Sequence, residues 1–343
     1  MKIDIHRFFC RGALMASLAL AAVSGIPPVA SAAVVEHTTL ALPDTTLAFL
    51  SEYVAADKGF WTKQGLDVKV TEIRGIGAMN AVISGSVDFS MSSAPSITRA
   101  YAHGRKLVAL AATLDQSDID IVIRKDVAEA AHFDSSAPLS VRAKILKGRT
   151  IAAPGVAGIP GILLHVVAHE AGLSGNDFTL TPMAPAEFMA AFARKAIDGF
   201  VAGPPFPQEV VLAGTGVLVS NAIKGEPTRY SPVSPALLVT RANFCPAHQS
   251  ICAKMVYGLV EAARFIHAHP KQSLAVMKAH FGHYSDKVLE ATYQLLRATT
   301  PVPPVTSVKD LEDGNLMDIA AGFLKPSGKL SSYAMLIDNR FAK

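Results

Sequence analysis

Two histidines, three glycines and two cysteines stand at spacings that could do chemistry, and none completes a catalytic pattern. His165 and His169 lie one helical turn apart, so both imidazoles could reach one metal ion. A metalloprotease helix needs a glutamate between such a pair, and Glu170 lies outside it, so packed or solvated histidines are the plainer reading. Gly155, Gly158 and Gly161 invite comparison with a phosphate loop. They match neither the G-x-G-x-x-G nor the Walker spacing, and no Lys-Ser/Thr follows. No G-x-S-x-G elbow occurs, no carboxylate pair suggests glycoside hydrolysis, and no basic block is interleaved with aromatics. Cys245 and Cys252 are either a disulfide or two buried thiols, because spacing alone does not define the geometry.

Five loops remain in which a strand-like run gives way to a helix-like one or to a candidate wall. They are Pro43-Asp44-Thr45-Thr46, Gly75-Ile76-Gly77, Ser90-Met91-Ser92-Ser93-Ala94-Pro95, Pro154-Gly155-Val156-Ala157-Gly158-Ile159-Pro160-Gly161 and Gly203-Pro204-Pro205-Phe206. Open α/β sheets bind ligands beyond the carboxyl ends of their strands. Helix N-termini there offer free N–H groups and partial positive charge.

The elements that must position these loops alternate. Residues 38–42, 67–73, 87–91 and 107–113 read as strands, with helices over 46–59, 78–84 and 95–103 between them. Pro95 near a first turn and Gly104 past a last one punctuate the third helix. A second cycle follows: strands at 150–153, 178–182, 197–202 and 217–219, helices at 160–171 and 185–195. Residues 119–123 and 235–240 are apolar and strand-like, and the chain from about 247 on is mainly helical. Strands separated by helices imply an α/β fold with parallel pairing. Two such cycles joined by two strand-like crossings, near 118–125 and 233–241, suit a two-lobed clamp with a double hinge.

Lys2, Arg7 and Arg11 precede an apolar run over 12–26, and Ala30-Ser31-Ala32 supplies a small-x-small cleavage site, so residues 1–32 are expected to be an export signal. The run is shorter than the roughly 20 residues of a spanning helix. Cys10 precedes the apolar run, the wrong place for a lipid-attachment cysteine. In an exported chain Cys245 and Cys252 can pair. The mature chain carries a net charge of about +2, too mild to argue for nucleic acid or a membrane surface.

The stretch Tyr53-Val54-Ala55-Ala56-Asp57-Lys58-Gly59-Phe60-Trp61-Thr62-Lys63-Gln64-Gly65-Leu66-Asp67-Val68, with Ala81-Val82-Ile83-Ser84-Gly85-Ser86-Val87-Asp88-Phe89-Ser90 after it, resembles the nitrate/sulfonate/taurine and thiamine-pyrimidine (SsuA/THI5-like, NMT1-like) group of periplasmic substrate-binding proteins. The likeness is best over 38–125, weaker to about 240, and a matter of layout beyond. It implies a type II periplasmic-binding-protein fold: lobe 1 from 33–120 plus 241–343, lobe 2 from 121–240, each a mainly parallel sheet flanked by helices, joined by a two-strand hinge. It implies a monomeric, non-enzymatic receptor in the periplasm, with no cofactor and no membrane insertion, that passes a small molecule to an ABC permease. The alternatives are an enzyme of the same fold related to thiamine-pyrimidine synthesis and a periplasmic sensor-input protein.

Carried onto this chain, the family's ligand site falls on Asp44, Thr45, Thr46, Gly77, Met91, Ser92, Ser93, Val156, Ala157, Gly158, Pro205 and Phe206. Several also have structural readings. Asp44 either caps the following helix or meets a ligand amine or hydroxyl, and Ser92 and Ser93 are candidate N-caps. Met91 and Phe206 are pocket wall or core, Tyr53 and Trp61 are packing residues, and Asp88 organises a turn. The fourth loop departs from the family by offering glycine and apolar side chains where sulfonate and nitrate binders place hydroxyls. A small hydrated oxyanion would be under-coordinated there, which favours a larger, partly apolar ligand such as an organic carboxylate or a heterocycle.

Overall fold

The computed structural model describes residues 35–342, so the expected export signal, with Cys10, lies outside the described residues. Ten strands form two five-stranded sheets. The first has the order β2-β1-β3-β10-β4 and is built from β1 (Glu36–Leu42), β2 (Leu66–Glu72), β3 (Phe89–Ser92), β4 (Leu107–Leu114) and β10 (Ala236–Arg241). The second has the order β7-β6-β8-β5-β9 and is built from β5 (Asp120–Arg124), β6 (Thr150–Ala153), β7 (Thr179–Pro182), β8 (Gly199–Ala202) and β9 (Gly216–Ser220).

Each sheet is mixed in the same way. β1 pairs in parallel with β2 and β3, and β6 with β7 and β8. One strand then runs against its neighbours: β10 between β3 and β4, and β5 between β8 and β9. Those two strands arrive directly from the other sheet. The chain crosses over 115–119 and returns over 221–235. β10 lies wholly in the first sheet, so the return crossing precedes Ala236 instead of occupying 233–241.

Helices cover the faces: α1 (Leu50–Asp57), α2 (Gly77–Ser84), α3 (Ala94–Ala102), α4 (Lys125–Ala130), α5 (Leu139–Arg142), α6 (Ile159–Glu170), α7 (Pro185–Ala193) and α8 (Phe206–Leu212). α9 (Phe244–Ala247), α10 (Gln249–Ala268), α11 (Pro270–Phe281), α12 (Asp286–Thr299) and α13 (Val308–Ala320) complete the α-helices among the described residues. Local chemistry explains their ends. Ser285 accepts from the Val288 amide to start α12, and Ser307 with Asp310 forms a capping box for α13. Gly85, at φ +83°, ends α2 in the left-handed conformation that glycine adopts without strain. α12 buries Val288, Leu289, Thr292, Tyr293, Leu296 and Thr299, a helical stripe.

The late helices return to the first sheet. α10 packs beside α1, where Trp61 donates from Nε1 to the Met255 carbonyl at 2.9 Å. Gly258 leaves room for that indole, since a Cβ there would stand 2.2 Å from Trp61 Cδ1. α13 lies on α3 and also meets α6, with the Arg99–Asp318 ion pair (3.0 Å) beneath it. Asp88 accepts from the Thr38 and Thr39 hydroxyls and the Thr39 amide, tying the approach to β3 onto β1. Cys245 and Cys252 form a disulfide joining α9 to α10.

Candidate functional site

A cavity of about 110 Å³ lies where the carboxyl ends of both sheets' parallel strands meet. From the first sheet come Pro43, Asp44, Thr46, Ala48 and Phe49 after β1, Gly75, Ile76 and Met79 after β2, and Met91, Ser92, Ser93 and Ser96 at β3 and α3. From the second come Pro154, Gly155, Gly158, Ile159 and Pro160 after β6, and Gly203 after β8. The crossing segments add Asp118, Ile119 and Pro235.

The loops reach one another across the cavity. Thr46, in an extended N-cap conformation, accepts from the Ala48 amide. It donates its hydroxyl proton to the Pro204 carbonyl at 2.6 Å, and Leu47 N–H donates to the same oxygen at 3.1 Å. On another side, Arg99 Nη2 donates to the Ala157 carbonyl at 2.5 Å. These bonds join the loop after β1 to that after β8, and α3 to the loop after β6.

Of the residues expected at the site, Asp44, Thr46, Met91, Ser92, Ser93 and Gly158 line the cavity and six do not. Thr45 is exposed and gives its hydroxyl to the Glu72 carboxylate. Gly77 opens α2 one residue behind Ile76, and Val156 is exposed with its carbonyl folded over Gly161. Ala157 spends its carbonyl on Arg99. Pro205 is buried at the start of α8. Phe206 is core, edge-on to Phe188 at 5.3 Å and near Tyr284 at 6.3 Å.

The capping expectations also change in detail. Asp44 accepts from the adjacent Thr45 amide at 2.8 Å, and Thr46 does the capping. Ser93 occupies the N-cap of α3, but its hydroxyl donates to Ser96 Oγ at 3.0 Å and accepts no bond from the helix backbone. His165 packs against Phe178 and Phe323, while His169 Nδ1 meets the Ala320 carbonyl at 2.7 Å.

Asp118 was missed by the sequence reading. The signal was present: in Asp118-Ile119-Asp120-Ile121, acids alternate with isoleucines, which points two carboxyl groups to one face of an extended segment. Both are buried. Asp120 accepts from the Ala222 amide at 2.8 Å, whereas neither Asp118 oxygen has a partner among the described residues. Burial is the main cause pushing the Asp118 carboxyl up to about 7. Burial also lifts Asp44 to about 6, against the pull of the Thr45 amide.

The site can hold a small, largely apolar molecule and bond a few of its polar atoms. Among the described residues no group of three potential metal ligands occurs. The fold recurs in a solved structure from Bordetella bronchiseptica RB50, with TM-score 0.78 and 18% identity over 89% of this chain and 95% of that one. It recurs too in the alkanesulfonate-binding protein SsuA from Xanthomonas axonopodis pv. citri bound to MOPS, with TM-score 0.69 and 18% identity over 90% of this chain and all (100%) of that one. A Brucella abortus (strain 2308) relative, named as a binding protein without a stated ligand, is 26% identical over 232 residues, 65% of this chain. The chain spans 65% of that relative's own length, just under two thirds. The family model described as NMT1/THI5 like matches residues 47–273, the greater part of the sequence and all of the loops that build the cavity except Pro43, Asp44 and Thr46, and the chain belongs to that family.

Proposed function

We propose that this chain is the extracytoplasmic solute-binding component of an ABC importer, capturing one small organic molecule between two lobes that close around it. The lobes are the bodies built on the two sheets. The observation that carries the reading is the cavity itself: its walls come from the strand ends of both sheets, and Thr46 and Leu47 reach across to Pro204. Such contacts break when the sheets separate, so they favour the closed form. A ligand touching both walls adds to that preference, and only contacts made in the closed form can do so.

The crossings over 115–119 and 221–235 are the hinge in this reading, and Asp118 and Ile119 of the first crossing line the cavity. The closed receptor then docks on a membrane permease, with the mature chain working as a periplasmic monomer. No helix among the described residues is long and apolar enough to cross a membrane.

The test is native mass spectrometry of the mature protein, purified gently from the periplasm of its own host. A stoichiometric small molecule released unchanged on unfolding is expected. A chemically altered ligand would instead support an enzyme on the same fold. A protein that retains no small molecule and is stabilised by none would overturn the proposal.

A further inference from the structure

The cavity carries two carboxyl groups and, among its lining residues, no lysine, arginine or histidine. Asp118 is 1% exposed and its two oxygens have no hydrogen-bond partner among the described residues. A carboxyl group so placed has lost its hydration without replacement. Neighbouring donors are committed elsewhere. A Cβ added to Gly203 would stand 3.3 Å from Asp118 Oδ2 and 3.6 Å from Thr46 Oγ1, so the two groups are near each other. The Thr46 hydroxyl proton nevertheless goes to Pro204. Arg99 is held by Asp318 and the Ala157 carbonyl, and the exposed Arg74 sits with Glu72.

The helix ends around the cavity have also lost much of their power to hold an anion. That power rests on free backbone N–H groups. At α3, the Ala94 N–H donates to the Ser234 carbonyl at 3.0 Å, and Pro95 has none. At α6, Pro160 has none. At α2, Gly77 and Ala78 donate to the Arg74 and Gly75 carbonyls. An anion here would meet two carboxyl groups and few free donors.

We propose that the ligand presents a cationic, N–H-rich group, an ammonium or amidinium on a compact apolar body, to Asp118, with Asp44 as the second carboxylate. This deepens the receptor reading above and rests on it. Phe49, Ile76, Met79, Met91 and Ile159 wall the apolar part. The volume, about 110 Å³, lies below that of the roughly 150 Å³ apolar cavity that takes up benzene, so it suits an apolar body no larger than one ring. A cation in hydrogen-bond reach favours the ionised carboxylate, so it reverses what burial does to Asp118. An organic carboxylate, one of the two ligand classes expected from the sequence, would push the same carboxyl further up.

Matched probes of opposite charge test the assignment: benzamidine against benzoate, and n-butylamine against n-butyrate, by calorimetric titration of the mature protein at neutral pH. The cation of each pair should bind about tenfold or more tightly than its anion, the range of one charged hydrogen bond. Asp118→Asn keeps the side-chain size and should weaken cation binding by about tenfold or more while the thermal transition stays cooperative. Anion binding equal to or tighter than cation binding would overturn the assignment and leave the receptor reading standing. So would cation binding that Asp118→Asn does not change. Binding of neither member of either pair would also overturn it, whereas the receptor reading falls only if the native protein retains no molecule and is stabilised by none, or alters the one it holds.

Discussion

Replacing Asp118 by asparagine should change how stability depends on pH. Burial is the leading cause that holds this carboxyl at about 7 instead of 3.8. Its own backbone N–H, which makes no geometric hydrogen bond to it, pulls the other way, and the Asp120 charge adds a smaller push. The folded protein therefore keeps a proton that the unfolded chain has released. The Asp118 contribution is fully present below about pH 4 and is lost as pH rises through about 7. At 1.36 kcal/mol per unit, a gap of roughly three units corresponds to about 4 kcal/mol. Asparagine has nearly the same shape and no proton to lose. The ligand-free wild type and the variant should match near pH 4. Between about pH 4 and 7 they should diverge by roughly 1.4 kcal/mol per unit, with Asp118→Asn the more stable at neutral pH. Urea unfolding at unit pH intervals, followed by the fluorescence of Trp61, measures this. Glu52, also raised to about 7 by burial, is present in both proteins and cancels in the difference, whereas Asp120, likewise raised to about 7, interacts with Asp118 and adds a smaller change of its own. Parallel curves would refute the reasoning, because they would mean the carboxyl is hydrated or paired in the folded protein.

Other substitutions test the architecture around the site. Gly258→Ala drives a methyl into Trp61 and should cost about 1–3 kcal/mol, with a red-shifted indole emission, whereas an unshifted spectrum would show that α10 yields freely. Gly161→Ala places a Cβ 2.0 Å from the Val156 carbonyl and should displace the cavity wall after β6, lowering the melting temperature and the ligand affinity together. Thr46→Val removes the hydroxyl that bonds Pro204 and should weaken ligand binding about fivefold if closure depends on it, read by calorimetry. Replacing both Cys245 and Cys252 by alanine opens a loop of seven residues' separation and should lower the urea unfolding free energy by about 2–3 kcal/mol, on the chain-entropy model.

Much of the local structure was legible from the chain. The strand at 150–153 appears with the expected bounds, and residues 38–42, 78–84 and 160–171 shift by one or two residues. Apolar periodicity, a proline in a first turn and a glycine past the last are local signals, and they act wherever the segment ends up. α8 and α4 were not anticipated. α8 begins at Phe206, which had been read as loop, and α4 begins at Lys125, where the charged Arg124-Lys125-Asp126 run shows no apolar periodicity.

Around the cavity, the sequence pointed to the loops but not to which of their residues face inward. The positions just before helices, Asp44, Thr46, Ser92, Ser93 and Gly158, reach the cavity. Phe206 does not, because Phe188 and Tyr284 bury its ring in core from the other side. Asp118 was visible only as an acid alternating with isoleucines. Its importance depends on what stands opposite it, and that is set by Gly203 and Thr46, 85 and 72 residues away along the chain.

By itself the amino-acid sequence determined the alternation of strands and helices, the two cycles and the family to which they belong. The alternation and the cycles follow from side-chain periodicity and backbone chemistry within a few residues, and the family from the match of residues 47–273 to its model. Tertiary structure alone decided that β10 enters between β3 and β4, that β5 does the same in the other sheet, and that the cavity lining holds two acids and no basic side chain. Strand adjacency and the charge of a cavity are set by pairings between distant segments, and no short stretch of the sequence encodes which other segment will face it.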